Sequence, residues 1–286
     1  MTQYQITSEG ILLPFFPDFD LEQTLCCGQC FRWARTERGF FGIAMGKTLS
    51  LSLEKDGILF EGIKEREFHK IWVPYFDLEQ DYGEIRRALS QVHPVLKEAA
   101  AYAPGIRILR QDPWETLCTF IISQNNNIPR IQGIISRLCA CFGERCGETF
   151  LFPSPERLST LSVEDLAPIR CGFRAKYLLD AARRVVSGQL PLEQLRKLPL
   201  PQARQELMSV YGVGKKVADC VLLYGLHRLD AFPLDVWMNR AMEVLFPNIG
   251  PEDFGPFAGI AQQYIFHYSR RHPELFPQKN RESRSA

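Results

Sequence analysis

The chain lacks the segments that mark membrane and secreted proteins. No apolar run among its 286 residues approaches the roughly 20 residues needed to cross a bilayer. The opening sequence Met-Thr-Gln-Tyr-Gln has no basic segment followed by an apolar one, so it does not resemble a secretory signal. We expect an intracellular protein with no membrane partner. The polar end of the chain has no basic cluster, which favours a bacterial cytoplasm, around the nucleoid, over a nucleus.

The cysteines do not form the pattern of a disulfide framework or a zinc site. Their number, nine, is odd and they are scattered, so most should be reduced thiols in the core. The segment Cys26-Cys27-Gly28-Gln29-Cys30 contains one C-x-x-C, which is typical of a redox pair or of half a zinc site. A second C-x-x-C is missing. We therefore expect no structural zinc site. No other metal and no organic cofactor are expected either.

The chain also lacks a strong excess of either charge. Its 34 lysines and arginines against 33 acidic residues give a net charge of +1. A nucleic-acid-binding protein usually has a clear basic stripe, so charge alone assigns no function. A hydrophobic fraction of 45% is enough for a buried core and excludes disorder for most of the chain.

Residues 1–108 are predicted to form a β-rich domain. The first 60 residues contain short apolar or alternating runs separated by turn residues, and Asp56-Gly57 is a hairpin signal. The predicted strands are Tyr4–Thr7, Cys30–Ala34, Phe40–Ala44, Leu49–Leu53 and Ile58–Phe60. From Glu65 the apolar period lengthens, and helices are predicted at 65–73, 81–90 and 93–103.

Residues 109–276 are predicted to form a helical domain, and residues 277–286 a disordered polar tail. Asp112 is a predicted N-cap, with Pro113 at the first helical position and Glu115 at the third. Further helices are predicted at 174–187, 201–209, 215–226, 236–246 and 256–272. A β-rich module followed by a helical one is an α+β arrangement.

A helical hairpin within residues 201–226 contains the turn Gly212-Val213-Gly214. Its glycines allow a tight turn and close approach of the backbone to a phosphate, and the amides that open the second helix, such as that of Val217, point outward. Such a turn can hold DNA without reading its sequence. The alternative is an ordinary turn between two helices.

Two lysines follow this turn directly. The start of a helix disfavours the charged form of Lys216, as does its neighbour Lys215, and this combination favours a neutral amine nucleophile. The alternative is a pair of solvated or phosphate-binding lysines. Lys216 and Cys220 share one helix face, and Asp235, nineteen residues after Lys216, is either an N-cap or a carboxylate that stabilises positive charge at a sugar C1′.

The last helix carries two residues outside its main apolar stripe. Phe266 lies about 180° from Phe257 on the helical wheel, and Gln262 precedes it by one turn. This face is either a second packing surface or a platform on which an extruded base stacks while an amide contacts its Watson–Crick edge.

With these residues in view, the chain resembles the 8-oxoguanine DNA glycosylase/lyases of the helix-hairpin-helix superfamily. The resemblance extends over nearly the whole chain and rests on five motifs in order. They are Gly28-Gln29-Cys30-Phe31-Arg32-Trp33, Ser123-Gln124-Asn125-Asn126-Asn127-Ile128, Gly172-Phe173-Arg174-Ala175, Gly212-Val213-Gly214-Lys215-Lys216-Val217-Ala218-Asp219-Cys220 and Pro233-Leu234-Asp235.

The resemblance implies a fold, a partner and a set of roles. The fold is a twisted antiparallel β-domain like the TATA-binding protein packed on the helical domain, and the partner is duplex DNA with 8-oxoguanine opposite cytosine. The protein is expected to act as a monomer. The implied roles are Schiff-base lysine for Lys216, essential aspartate for Asp235, lesion-base contacts for Gly28, Cys220, Gln262 and Phe266, and DNA contacts for Asn125, Arg130, Phe173, Arg174, Gly212, Gly214 and Val217.

Several positions depart from the family pattern. Tyr211 stands where the hairpin usually has proline, Trp237 replaces a histidine, Ser269 an acidic residue and Phe173 a tyrosine. The missing C-terminal cysteine cluster argues against the iron–sulfur branch. Three rivals remain open: an alkylpurine glycosylase that activates water, an inert DNA-binding hairpin protein, and a redox protein using the C-x-x-C.

Overall fold

The structure, a computed structural model that describes residues 3–276, has the predicted α+β class. A six-stranded antiparallel sheet forms the first part of the chain, and helices form the rest. The strands are β1 (Gln5–Ile6), β2 (Gly10–Pro14), β3 (Trp33–Arg35), β4 (Gly39–Ala44), β5 (Lys47–Leu53) and β6 (Gly57–Glu61), with a small separate hairpin of β7 (Arg145–Cys146) and β8 (Thr149–Phe150).

The sheet has the order β1-β2-β6-β5-β4-β3, and every neighbouring pair is antiparallel. The predicted hairpin at Asp56-Gly57 joins β5 to β6, with Leu53 opposite Ile58. Strand β2 was not predicted. This segment has only three apolar residues before Pro14, which is a weak strand signal. It forms a strand because it pairs along its full length with β6, with Ile11 opposite Phe60.

Thirteen α-helices occur within the described residues, several of them extended by short π or 3-10 turns. They are α1 (Leu21–Leu25), α2 (Glu65–Glu67), α3 (Val73–Tyr75), α4 (Tyr82–Leu89), α5 (Pro94–Tyr102), α6 (Pro113–Ser123), α7 (Ile128–Phe142), α8 (Pro155–Ser159), α9 (Arg174–Val186), α10 (Leu200–Met208), α11 (Lys215–Cys220), α12 (Val236–Leu245) and α13 (Ala258–Arg271). The π turns are Phe68–Trp72 and Val221–Gly225, and the 3-10 turns are Ala167–Ile169, Leu192–Lys197, Pro251–Phe257 and Pro273–Leu275. None of these helices is long and apolar enough to span a bilayer.

The predicted helix at 215–226 changes its hydrogen-bonding after Cys220. A π turn follows at Val221–Gly225, where a Cβ on Gly225 would lie 3.1 Å from Pro113 and from Thr116. This close approach packs the second helix of the hairpin against α6. The predicted start of α13 at residue 256 shifts to Ala258, because Pro256 and Phe257 belong to the preceding 3-10 turn and Phe257 is the N-cap of α13.

Two hydrophobic cores lie within residues 3–276. The first, beneath the sheet, is rich in aromatic rings such as Trp33, Phe60 and Trp72. The second lies among the helices and also takes in Tyr82 and Leu96, although these precede the predicted boundary at residue 108. The predicted tail at 277–286 lies outside the described residues.

Buried polar side chains join the two cores. The Gln29 amide nitrogen donates to the carbonyls of Thr24 (2.8 Å) and Arg107 (2.7 Å), and its oxygen accepts from the Leu109 amide (2.9 Å). Because all three contacts satisfy a fully buried amide, Gln29 holds the loop around Gly28 against the start of the helical part.

A second buried connection centres on Asp77. Its carboxylate accepts hydrogen bonds from Arg110 (2.6 Å) and Tyr82 (3.0 Å) and faces His227 at 3.4 Å. Burial alone would raise the pKa of this carboxyl, but His227 and Arg110 lower the pKa below its ordinary value. The ionised carboxylate therefore links the segment after the sheet to the helical core.

Candidate active site

A cleft opens between the Gly28 loop, α6, α11, the start of α12, and α13. It comprises an outer cavity of about 300 Å³ and a narrower inner one of about 50 Å³. Gly28, Lys216, Asp235 and Phe266 line both cavities, and Cys220 and Gln262 line the inner one. The structure therefore brings together all six residues that the sequence singled out for chemistry and base contacts.

Lys216 lies in the first turn of α11, just after the N-cap Gly214. Its Nζ is 5.2 Å from the centroid of the Phe120 ring, a cation–π distance. One turn further on, the Cys220 side chain is 2% exposed, and burial raises the pKa of its thiol to about 11 although Lys216 lowers it. At neutral pH this thiol is protonated, which disfavours Cys220 as a nucleophile.

Asp235 is the N-cap of α12, one of the two interpretations made from sequence. Its Oδ1 accepts a hydrogen bond from the Met238 amide at 2.7 Å, which caps α12. Its carboxylate also lines both cavities together with Lys216. The cap fixes the side chain at the helix start, so the carboxylate is held where an amine and a reacting sugar could meet.

Gly28 and Phe266 approach each other closely in the inner cavity, and the gap between them is called the slot below. Gly28 has a φ of +94°, and a Cβ at this position would lie 3.8 Å from the Phe266 ring. A side chain here would be strained and would occupy the space in front of the ring. No residue within 3–276 donates a hydrogen bond to the Gly28 carbonyl. One turn before Phe266, the amide of Gln262 is buried and lines the same cavity, where its Oε1 lies 3.4 Å from the Tyr224 hydroxyl.

Sequence reasoning missed the residues that support this slot. Gln263 donates from Nε2 to the Cys27 carbonyl at 3.1 Å, and the Tyr224 hydroxyl donates to Gln263 Oε1 at 2.6 Å. The Tyr224 ring also stacks on Phe120, at 5.4 Å between centroids. The only signal for Gln263 in the sequence is its amide, which needs a hydrogen-bond partner once buried but does not identify that partner.

The residues for which the resemblance implies DNA contacts differ in their exposure to solvent. Asn125 and Arg130 are exposed, Asn125 with a φ of +48°, and Phe173 is 53% exposed. Arg174 is buried, and its guanidinium donates to the carbonyls of Gln124 (3.0 Å), Cys171 (3.1 Å) and Asn125 (3.2 Å). Its observed contacts therefore hold the Asn125 loop beside the exposed Phe173 ring.

The two glycines of the hairpin have different surroundings. Gly212 has a φ of +79°, and a Cβ there would lie 2.4 Å from the ring of Tyr177. Nothing lies within 4 Å of a Cβ on Gly214, which is open. The Val217 side chain is buried, so only its backbone could take part in binding. Gly212 is thus required by packing, whereas Gly214 keeps the surface clear for another molecule.

Aromatic rings connect this hairpin to Phe173. The Tyr177 ring lies edge-on to Phe173, at 5.7 Å between centroids, and to Tyr211, at 5.0 Å. Tyr211 is 61% exposed, and its amide donates to Asp180 Oδ2 at 2.8 Å. This hydrogen bond holds the entry to the turn where the family usually has a proline, which lacks the donor.

Two of the positions that depart from the family contact each other. Trp237 donates from Nε1 to Ser269 Oγ at 2.8 Å, and Ser269 donates to the Phe266 carbonyl at 3.3 Å. Trp237 lies two residues after Asp235 in α12, and Phe266 lies in α13. A neutral hydrogen bond therefore connects the helix that positions the carboxylate to the helix that positions the aromatic ring.

The remaining cysteines and histidines do not form a second reactive group. Burial raises the pKa of Cys27 to about 12 and that of Cys30 well above its ordinary value, which disfavours thiolate chemistry at the C-x-x-C. His267 and His272 have an H-x4-H spacing found in zinc sites. Within the described chain, however, no three or more His, Cys, Asp or Glu side chains cluster in a way that could hold a metal.

Comparison with known proteins identifies two family models that together match most of the chain. Residues 14–117 match the 8-oxoguanine DNA glycosylase N-terminal domain, and residues 118–253 match the HhH-GPD superfamily base excision DNA repair protein. The N-glycosylase/DNA lyase OGG1 of Arabidopsis thaliana is 30% identical over 88% of this chain and 73% of its own length. A Saccharomyces cerevisiae N-glycosylase/DNA lyase is 40% identical, but the match spans 51% of this chain and 44% of the yeast protein.

Solved structures are similar over almost the full length. MBOgg1 in complex with a low-affinity DNA ligand is 43% identical, with a TM-score of 0.88 over 95% of this chain and 99% of that protein. The Clostridium acetobutylicum 8-oxoguanine glycosylase/lyase, bound to double-stranded DNA with cytosine opposite 8-oxoguanine, is 36% identical, with a TM-score of 0.88 over 95% of this chain and 98% of that protein.

Proposed function

Because the chain belongs to the 8-oxoguanine DNA glycosylase family, we propose that it excises 8-oxoguanine from duplex DNA and then cleaves the resulting site, in base excision repair. The observation that carries this proposal is the meeting of Lys216 and Asp235 at one cleft, beside a slot between Gly28 and Phe266. The chain needs no metal or organic cofactor for this chemistry and acts as a monomer.

The reaction begins with neutral Lys216. Its Nζ attacks C1′ of the extruded nucleotide while the bond from C1′ to the base breaks, and the base leaves with the bonding electron pair and takes up a proton. Asp235 stabilises the positive charge that develops on the sugar. The sugar ring opens to give a Schiff base between C1′ and Nζ, and loss of a C2′ proton then expels the 3′ phosphate by β-elimination.

The slot accounts for the choice of base. The extruded base stacks between Cys220 and Phe266, and Gln262 contacts its Watson–Crick edge. The Gly28 carbonyl accepts the N7–H that 8-oxoguanine has and guanine lacks. Guanine would leave this carbonyl facing a ring nitrogen that cannot donate, and an unpaired buried acceptor costs about 1–3 kcal/mol.

The exposed residues around the cleft hold the bent duplex. Asn125 fills the space left by the extruded base, Phe173 enters the stack as a wedge, and Arg130 with Arg174 contacts the orphaned cytosine. The Clostridium acetobutylicum complex with cytosine opposite the lesion supports this opposite base. Arg174 already donates four of its five N–H groups to backbone carbonyls, which leaves one donor for the cytosine. The hairpin amides near Gly212, Gly214 and Val217 bind phosphate.

Borohydride trapping tests the proposal most directly, since it reduces a Schiff base to a stable covalent adduct. We expect an adduct with a duplex containing 8-oxoguanine opposite cytosine and none with unmodified guanine. Lys216→Gln should abolish the adduct, and Lys215→Gln, the same change one residue earlier, should retain it because Lys215 lines neither cavity. If the wild type binds the lesion tightly without forming an adduct, the lyase mechanism is wrong and a water-activating glycosylase or an inert binder replaces it.

A further inference from the structure

The mouth of the cleft, formed by the residues that line the outer cavity, carries more positive than negative charge. Arg270 and Arg271 end α13 and line the outer cavity with Lys216, whereas Asp235 is the only acidic residue lining it within the described chain. His267 also lines this cavity, but burial and the nearby Arg271 lower the pKa of its imidazole, so it adds little charge at neutral pH. The mouth therefore attracts an anion, and its field comes mainly from the two guanidinium groups.

Arg270 has a specific contact in addition to its charge. Its guanidinium carbon lies 5.4 Å from the centroid of the Phe266 ring, one helical turn earlier. It forms no ion pair with a carboxylate of residues 3–276, whereas the guanidinium of Arg204 is paired with buried Asp219 at 2.6 Å. An exposed arginine that is stacked on a ring but has no acidic partner keeps all its N–H donors available.

A simpler explanation is that Arg270 stabilises the end of α13, since a cation in the last helical turn favours the helix dipole. That explains its charge, and Arg271 would serve as well. It does not explain why the guanidinium lies over Phe266, the ring that faces Gly28 across the slot. Both effects can coexist, but only a ligand-directed role predicts a difference between substitutions that keep the charge and substitutions that keep the planar group.

We propose that Arg270 is a positioning residue that holds the Phe266 ring against the extruded base and binds a phosphate flanking the extruded nucleotide. The inference rests on the proposed function, because only an extruded nucleotide brings its phosphate to this mouth. A guanidinium suits both tasks: its flat face stacks on the ring while its edge donates two parallel hydrogen bonds to phosphate oxygens.

Two variants of Arg270 separate these tasks. Arg270→Gln keeps a planar polar group without charge, and Arg270→Lys keeps the charge without the planar fork. Arg66→Gln, at an exposed position in α2, makes the same change in net charge away from the cleft and serves as the matched control. The measurements are the dissociation constant for the lesion duplex as a function of salt and the single-turnover rate of base excision.

The two variants should differ in a way that a purely structural role would not produce. Arg270→Gln should bind the lesion duplex on the order of tenfold more weakly, with the slope of log affinity against log salt reduced by about one. Arg270→Lys should keep the salt slope and excise several-fold more slowly, because Phe266 loses its stacked partner. Arg66→Gln should match the wild type in both measurements.

The outcomes distinguish this inference from the proposed function. If the wild type forms the Lys216 adduct and both Arg270 variants bind and excise like Arg66→Gln, Arg270 has no role at the mouth and the inference is wrong. If the wild type itself forms no adduct, the proposed function fails first. A thermal unfolding midpoint equal to that of the wild type shows that each variant is folded. If Arg270→Gln fails to fold while Arg270→Lys binds and excises like the wild type, Arg270 contributes only to the stability of the helix.

Discussion

Alanine substitutions at the two hairpin glycines should affect different properties: Gly212→Ala should lower stability, and Gly214→Ala should weaken DNA binding. At Gly212 the φ of +79° costs an L-residue about 1–2 kcal/mol. The added Cβ would also lie 2.4 Å from the Tyr177 ring, and displacing a packed ring costs about 1–3 kcal/mol. Gly212→Ala should therefore lower the free energy of unfolding by roughly 2–5 kcal/mol.

Gly214→Ala is the matched control because the same methyl group is added two residues away. Its φ of −95° suits alanine, and no atom lies within 4 Å of the new Cβ. Loss of a glycine N-cap and gain from a less flexible unfolded chain nearly offset each other, so the change in unfolding free energy should stay within about 1 kcal/mol. Because this glycine leaves room for a phosphate, Gly214→Ala should nevertheless weaken DNA binding.

Urea unfolding of the two variants measures the difference, and duplex binding is measured on the same samples. A third variant, Tyr177→Ala, removes the ring. In that background Gly212→Ala should cost only the backbone term of about 1–2 kcal/mol. A loss of stability in Gly212→Ala no larger than that in Gly214→Ala would contradict this prediction, as would an unchanged cost of Gly212→Ala after removal of the Tyr177 ring.

Two further predictions concern the hydrogen bond between Trp237 and Ser269 and the buried carboxyl of Glu115 in α6. Trp237→Phe removes the N–H that donates to Ser269, so the free energy of unfolding should fall by about 1–2 kcal/mol. The single-turnover excision rate should also fall. An unchanged rate would show that this hydrogen bond does not help to position Asp235. Burial raises the pKa of Glu115 from 4.5 to about 7, although Arg32 at 3.4 Å opposes the shift. The folded state therefore holds the Glu115 proton more tightly than the unfolded state, and the wild type should lose stability relative to Glu115→Gln as pH rises from 4.5 to 7. Urea unfolding of both proteins at pH 5 and pH 8 measures this loss. An equal difference in unfolding free energy between the two proteins at both pH values would contradict the prediction.

Local structure and the chemical motifs could be predicted from the sequence. Asp112 and Asp235 cap α6 and α12 as predicted, each accepting from the amide three residues later. The periodicity placed the main helices to within a few residues, and the order of motifs indicated the family. These features depend on neighbours within one or two helical turns, so their signals are contained in short segments of the chain.

Tertiary structure decided which distant groups meet, and therefore which residues support the site. Gln263 holds the Cys27 carbonyl from 236 residues away, and Gln29 satisfies Leu109 from 80 residues away. The inward orientation of Arg174 likewise depends on the path of another loop. A buried donor indicates that a partner exists, but the partner is chosen by how separate helices and strands pack, and no pattern of neighbouring residues contains that information.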